Sequence, residues 1–387
     1  MEDQALGWFA TIGRMAMQVW PVWLGMAVIF GLSIRFKRRL GLYGKLFDST
    51  VGMIGYAIVL FWVLVAVFAS LIITHDPLAQ VAIMKNAAPG SPTGLEDGYP
   101  YYLLGGDALA RDVFSRMVMG AREVLKIAPA AALVAYAVGI CLGLPAGYLG
   151  GWWDDVLSFI ANLVLAFPVI LLFFLLVTPE IQQTGIPNGM AAILFAIPLV
   201  LMALMIHSRF VTQPARRNLW LAILAIVGIW AYAGLVFDAD PLGVWRMPPN
   251  LLNVFIAVVF VNAPTVFRIV RGITMDIKNR DYVAAAQTRG ESGAYIMLWE
   301  IMPNARGPLI VDFCLRIGYT TILLGTLGFF GLGVSPESPD WGSTINQGRR
   351  LLTAYPHAAL APALALMMLV LGLNLLADGL REESLKD

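Results

Sequence analysis

The side chains best equipped for chemistry in this chain of 387 residues are few and scattered. Its three histidines have no metal-ligand spacing, and its two cysteines, Cys141 and Cys314, lie far apart in apolar segments. Neither a metal site nor a disulfide is expected from that pattern. There is no Gly-x-x-x-x-Gly-Lys-Ser/Thr phosphate loop, so any ATP that drives this protein binds another chain, and no cofactor is expected on this one. A membrane-embedded enzyme would need His, Asp or Cys clustered at usable spacing, which is absent. What remains is charge. Asp312 and Arg316 stand four apart, on one helical face, inside the apolar run 308–332. A charge at the bilayer centre costs about 2.5–3.5 kcal/mol on insertion scales and usually faces protein or a water-filled path. Two roles stay open for this pair: lining a translocation route, or clasping the helix near its inner end. Upstream, Asp107, Arg111, Asp112, Ser115, Arg116, Gly120 and Arg122 form a second polar group. Arg111, Asp112 and Arg116 fall at helical neighbour spacings, as on a solvated face laced by weak ion pairs. His207 beside Arg209 invites a proton relay, but its place at a membrane boundary fits an interfacial residue better.

These residues must be positioned by apolar helices. The chain is 59% hydrophobic and 13% charged, with mean hydropathy +0.75 and net charge +1. A soluble protein carries about 25% charged residues. The composition gives an all-α polytopic membrane protein and no support for nucleic-acid binding. The first residues include Glu2 and Asp3 and do not resemble a cleavable signal. A spanning helix needs about 20 apolar residues. Nine runs come near that: 15–34, 51–73, 125–149, 157–177, 190–207, 219–237, 251–271, 308–332 and 358–377. The first ends in Arg35-Phe-Lys37-Arg38-Arg39, a basic cluster expected in the cytoplasm, which places the N-terminus outside. Alternating from there, the stretches 35–50, 150–156, 208–218, 268–307 and 378–387 are cytoplasmic. They hold 16 of the 26 Lys and Arg. Paired Gly150-Gly151 predict a tight turn, and Pro168 predicts a bend in the run that contains it.

The stretch Asp281-Tyr-Val-Ala-Ala-Ala-Gln-Thr-Arg-Gly290-Glu-Ser292, followed by Met302-Pro303-Asn304, reads as two short helices with a glycine joint. Asn279 is the expected cap of the first, which runs to about Arg289, and Gly290 suits the left-handed position after it. Ser292 is the expected cap of the second, and Pro303 its stop. Helices of about ten residues are marginal alone, so the pair calls for a partner surface. A membrane surface and a protein groove both satisfy that.

Ala-Ala-x-x-x-Gly at this spacing from Met302-Pro303-Asn304 resembles the EAA loop of membrane subunits of binding-protein-dependent ABC importers. There the loop is a coupling helix seated in a groove of a cytoplasmic ATPase. The resemblance carries Tyr282, Ala284, Ala285, Ala286, Gly290, Met302 and Pro303 into that role. Ala284 stands where the motif has Glu, which puts a carboxylate contact in doubt.

The 105–122 segment is similar to the Gly-Thr-Asp-x-x-Gly-Arg-Asp-x-x-Ser-Arg-x-x-x-Gly-x-Arg element of the dipeptide, oligopeptide and nickel branch. Gly106 replaces Thr and Ala110 replaces Gly. Two later stretches also resemble branch patterns: Gly331-Leu-Gly333-Val-Ser-Pro336-Glu-Ser-Pro339-Asp-Trp341-Gly342 and Asn374-Leu-Leu-Ala-Asp378-Gly379-Leu-Arg381. The Arg and Asp usual after Gly150-Gly151 are Phe159 and Asn162 here, which puts a second cytoplasmic ion pair in doubt.

The resemblance implies the C-type permease of a peptide-class importer with the MetI-like type I importer fold. It also implies a second homologous permease, two ATPase subunits or domains holding ATP and Mg²⁺, a substrate-binding protein outside, and no catalysis by this chain. Residues 1–50 form an additional N-terminal helix and basic linker. Residues 51–124 carry the first core helix and a periplasmic segment. Residues 125–387 are the core permease, with an inserted hairpin at 190–237 and the coupling loop at 276–304. An ion-coupled carrier, or a permease for nickel, opines or other non-peptide cargo, is the alternative. Paired broken helices, the mark of many such carriers, are not evident.

Overall fold

The computed structural model describes residues 4–39, 41–95, 98–178, 180–181, 184–245, 247–332 and 338–384. They divide into two compact units, Met1–Pro129 with Cys314–Asp387, and Ala130–Phe313.

The first unit holds α1 (Trp8–Gln18), α2 (Trp20–Phe36), α3 (Thr50–Val67), α12 (Trp341–Arg349) and α13 (His357–Ser384). Strands β1 (Ser91–Pro92) and β2 (Tyr101–Tyr102) pair antiparallel in the segment that follows α3. Helices α3 and α13 pack backbone to backbone. A Cβ added at Gly55 would lie 2.3 Å from the Leu376 amide nitrogen, and one at Gly379 would lie 2.3 Å from the Gly52 Cα. Hydrophobic burial cannot drive helices together in lipid, so close approach through small residues supplies the attraction. Trp341 is fully buried, stacks edge-on at 5.2 Å from Trp62 and donates its indole N–H to the Met117 carbonyl. That fixes one end of the glycine- and proline-rich stretch 331–342. Its 333–337 portion, like Glu96-Asp97 of the earlier loop, lies outside the described residues.

The second unit holds α5 (Gly151–Ala166), α6 (Val169–Val177), α7 (Ile186–Arg209), α8 (Pro214–Phe237), α9 (Pro249–Ile277) and α10 (Asp281–Thr288). The chain passes from one unit to the other within α4 (Val113–Leu149) and again within α11 (Met302–Phe329). Helix α9 is the most buried, and α5, α6 and α7 pack on it. Gly150 and Gly151, at φ +66° and +57°, make the expected tight turn between α4 and α5.

Among the described residues, seven helices are long and apolar enough to cross a bilayer, and two of the nine expected runs are bent pairs. The run 15–34 does not lie on one straight helix: α1 and α2 meet at 57°. Val19 leaves the helical region, and Pro21 sits in the first turn of α2, where its missing N–H costs nothing. The run 157–177 breaks more sharply, at 83°. Phe167 is extended, as a residue before proline prefers, and Pro168 caps a new helix. Here Pro168 does more than bend the helix. It ends one helix and starts another.

Candidate functional site

The 276–304 loop is built by local rules. Helix α10 starts at Asp281, with Arg280 extended at its N-cap and no side-chain cap, so Asn279 does not cap it. Asp281 places a negative charge in the first turn instead, where the helix dipole favours one. At the other end the Glu291 amide donates to the Ala286 carbonyl at 3.2 Å and the Gly290 amide to the Gln287 carbonyl at 2.9 Å. These two bonds make a Schellman motif around Gly290, which sits at φ +77° as expected. The Ser292 hydroxyl accepts from the Tyr295 amide at 3.3 Å, as a cap should.

Pro303 does not stop the second limb. One π turn, Ile296–Ile301, precedes it, and the helix continues as α11. A proline lacks an N–H and crowds the carbonyl four residues back. The wider turn just before it relieves both problems.

The loop has an inner and an outer face. Val283 and Ala286 are buried with Ile296, Leu298 and Ile301 against Leu144 of α4, Val266 and Val270 of α9, and Leu309 of α11. Tyr282, Ala284, Ala285, Gly290 and Pro303 are exposed, and Met302 is half-buried. Of the three alanines, then, Ala286 faces inward and only two are presented outward. Arg289 donates to Glu300 at 2.8 Å across the glycine joint. Lys278 donates to the Gly147 carbonyl at 3.0 Å, and Gln287 to the Tyr148 hydroxyl at 3.2 Å. Beside Ala284 runs an open groove of about 540 Å³, lined by Tyr148, Leu149, Lys278, Asn279 and Gln287.

Nearby, Arg271 forks onto Asp154, with one bond of 2.6 Å. Ser158 also donates to Asp154, and Arg268 donates to Asn162. An ion pair is present in this region after all, built from other residues than the branch pattern uses. Its partners are 117 residues apart, so no local spacing announces it.

The polar group at 105–122 is not a solvated helical face. Asp107, Arg111, Asp112, Ser115 and Arg116 are all at most 3% exposed. Asp107 lies in a turn ahead of α4, accepts from the Leu109 and Arg111 amides at 2.8 and 2.9 Å, and pairs with the Arg111 guanidinium at 2.7 Å. Arg111 reaches Gln347 of α12. Asp112 accepts from the Phe114 and Ser115 amides, capping α4, and from the Thr74 hydroxyl at 2.8 Å. Ser115 accepts from the Thr74 and His75 amides. Arg116 donates to the Ser338 carbonyl at 3.1 Å and the Thr344 hydroxyl at 3.0 Å. Gly120 lies against Trp341, and half-buried Arg122 donates to Ser70. The knot ties segments around 74, 107, 116 and 344 together.

Both departures from the family pattern have structural consequences here. A Cβ at Gly106 would lie 1.9 Å from the Met84 carbonyl oxygen, so this backbone has no room for threonine. Ala110 sits at φ +63°, in the left-handed region that glycine occupies without strain. Ala110→Gly is therefore expected to stabilise the protein by about 1 kcal/mol. Thermal unfolding in detergent measures this, and a lowered midpoint would overturn it.

In α11, the Tyr136 hydroxyl donates to Asp312. Arg316 is 9% exposed, with its guanidinium 5.9 Å from the Tyr319 ring centroid.

A family model described as "Binding-protein-dependent transport system inner membrane component" matches residues 139–382. The chain is 30% identical over 279 residues to the glutathione transport system permease protein GsiD of Pectobacterium atrosepticum, covering 72% of this chain and 70% of that one. It is 27% identical over 340 residues to the dipeptide transport system permease protein DppC of Alkalihalophilus pseudofirmus, covering 88% and 87%. The family match spans the 276–304 loop, the α7–α8 hairpin, the Asp312 region and the knot's Ser338, Thr344 and Gln347, while the knot's residues 74–122 precede it. An all-α chain with seven to nine candidate spans fits these relatives. The protein is a multi-pass permease subunit of an ABC importer and belongs to the family of binding-protein-dependent transport system inner membrane components.

Proposed function

We propose that this subunit imports a peptide-class solute and couples to ATP hydrolysis through the 276–304 loop. The observation that carries the reading is the two-faced loop. Its apolar side is anchored in its own unit, while Tyr282, Ala284 and Ala285 stand bare beside an open groove. A short helix exposing small side chains permits close backbone approach by a partner, here an ATPase subunit that holds the ATP and Mg²⁺.

This chain transmits force and performs no chemistry of its own. A second homologous permease supplies the other half of the pathway, two ATPase subunits or domains bind inside, and a substrate-binding protein delivers solute outside. Counting both bent pairs as spans gives nine passes. With the Arg35–Arg39 cluster inside, the N-terminus lies outside, and the loop and C-terminus lie in the cytoplasm. The knot then faces the exterior as a rigid mount for the outer segments. Residues 1–50 and the hairpin at 190–237 are additions to the core permease. Asp312 and Arg316 line the pathway.

Purification under mild detergent tests the assembly. A second permease and ATPase subunits should co-isolate, and binding protein should stimulate their ATP hydrolysis in proteoliposomes. Uptake abolished by a protonophore yet indifferent to ATP depletion would overturn the reading in favour of an ion-coupled carrier.

A further inference from the structure

The α7–α8 hairpin ends on the second limb of the 276–304 loop. The Trp299 indole N–H donates to the Ser208 hydroxyl at 3.0 Å, and that hydroxyl donates in turn to the Met205 carbonyl at 3.1 Å. The Arg209 guanidinium lies over the Trp299 ring, 4.9 Å from its centroid. One and two turns further into α7, Met205 and Leu201 join the cluster formed by Ile296, Leu298 and Ile301. Ser208 is 5% exposed, so its hydroxyl is reserved for this contact.

Trp299 belongs to the π turn. A π turn is an uncommon, widened stretch of helix, and here it is the joint between the loop and α11. A hydrogen bond, a cation–π contact and apolar packing, three independent interactions, all hold the side chain that projects from this joint. The far end of the brace is fixed as well. Phe195 of α7 stacks on Phe255 of α9 at 5.7 Å, and Tyr232 of α8 donates to the Ala192 carbonyl of α7 at 3.1 Å. The hairpin is thus a strut from α9 to the π turn.

We infer that the hairpin is a brace for coupling. Ser208 and Arg209 act as positioning residues that hold Trp299, so that force on α10 enters α11 instead of being lost in rocking of the π turn. The inference rests on the reading of this loop as the site of ATPase coupling, and it assigns the added helices a role in regulating that site.

The test uses the full importer in lipid nanodiscs and proteoliposomes, with Ser208→Ala, Arg209→Gln and Trp299→Phe, and with Ser208→Thr as the variant that keeps the hydroxyl. Two quantities are read: amide hydrogen exchange over 293–301, and ATP hydrolysed per solute imported. Loss of one partly buried hydrogen bond corresponds to roughly fivefold to tenfold faster local opening. That acceleration is expected in Ser208→Ala and Trp299→Phe, together with at least a doubling of ATP used per solute, and both should revert in Ser208→Thr. Arg209 is exposed, so Arg209→Gln keeps the test open if a buried variant fails to fold. Unchanged exchange in all three variants overturns the brace. Faster exchange with normal stoichiometry also overturns it, provided Gly290→Val uncouples the same importer. If Gly290→Val couples normally too, it is the coupling reading of the loop that falls.

Discussion

Gly290→Val is expected to cut solute uptake by at least tenfold while the importer still inserts, assembles and hydrolyses ATP. Gly290 holds φ +77° and its Schellman bonds tie Glu291 and Gly290 back to Ala286 and Gln287. A non-glycine residue held there costs about 1–3 kcal/mol, and a β-branched one resists that region most. Nothing lies within 4 Å of an added Cβ, so the cost is carried by the backbone and not by a collision. The joint therefore re-aims α10 without disrupting the core formed by Val283, Ala286 and Ile296. Asparagine enters the left-handed region more readily than other residues, so Gly290→Asn should retain most uptake. The ratio of uptake to ATP hydrolysis in proteoliposomes decides the matter. Normal uptake by the valine variant would sink the docking model.

Asp107→Ala is expected to produce the largest loss of stability of any single substitution in the knot. Its carboxylate answers two backbone amides and the Arg111 guanidinium, with the Arg116 Nε 3.9 Å away, in surroundings that exclude water. Removing one partner of a buried ion pair costs about 3–5 kcal/mol, because the remaining charge is left uncompensated. Two guanidinium groups would be affected here. Scaled to a chain of this size, the unfolding midpoint should fall by about 4–6 °C. Arg122→Ala, which removes an exposed bond to Ser70, should shift it by roughly 2 °C or less. A scan of both variants in one detergent gives the comparison, and equal midpoints would show that the knot carries no special load.

The apolar runs, the paired-glycine turn and the glycine joint were legible because each is set by composition or by one residue's backbone preference. Of the two bends, the one at Pro168 was announced by the proline, although it is a full break, while the one at Val19 was not. Hydropathy reports how readily a stretch leaves water, not its direction, so Val19 before Pro21 and Phe167 before Pro168 are invisible to it. Pro303 misleads for a related reason: a proline ends a regular helix, but a π turn upstream lets the chain continue. The knot was misread from spacing alone. Arg111, Asp112 and Arg116 look like a helical face, yet Asp112-x-x-Ser115 at the start of a long helix is also a capping signature, and that signal points to the observed arrangement. Contacts such as Trp299 with Ser208 and Arg271 with Asp154 join residues 91 and 117 positions apart, and single-sequence reasoning has no access to them.

The meeting of α3 with α13 bears on how the molecule is made. Gly55 lies against Gly372 and Leu376, and Gly52 against Gly379, more than 300 residues later. At ribosomal speeds of 5–20 residues per second, α3 waits roughly 15–60 s in the membrane for the helix that covers it. During that interval its bare glycine stripe must be shielded by lipid or by the insertion machinery, and the first unit cannot close until α13 has been made.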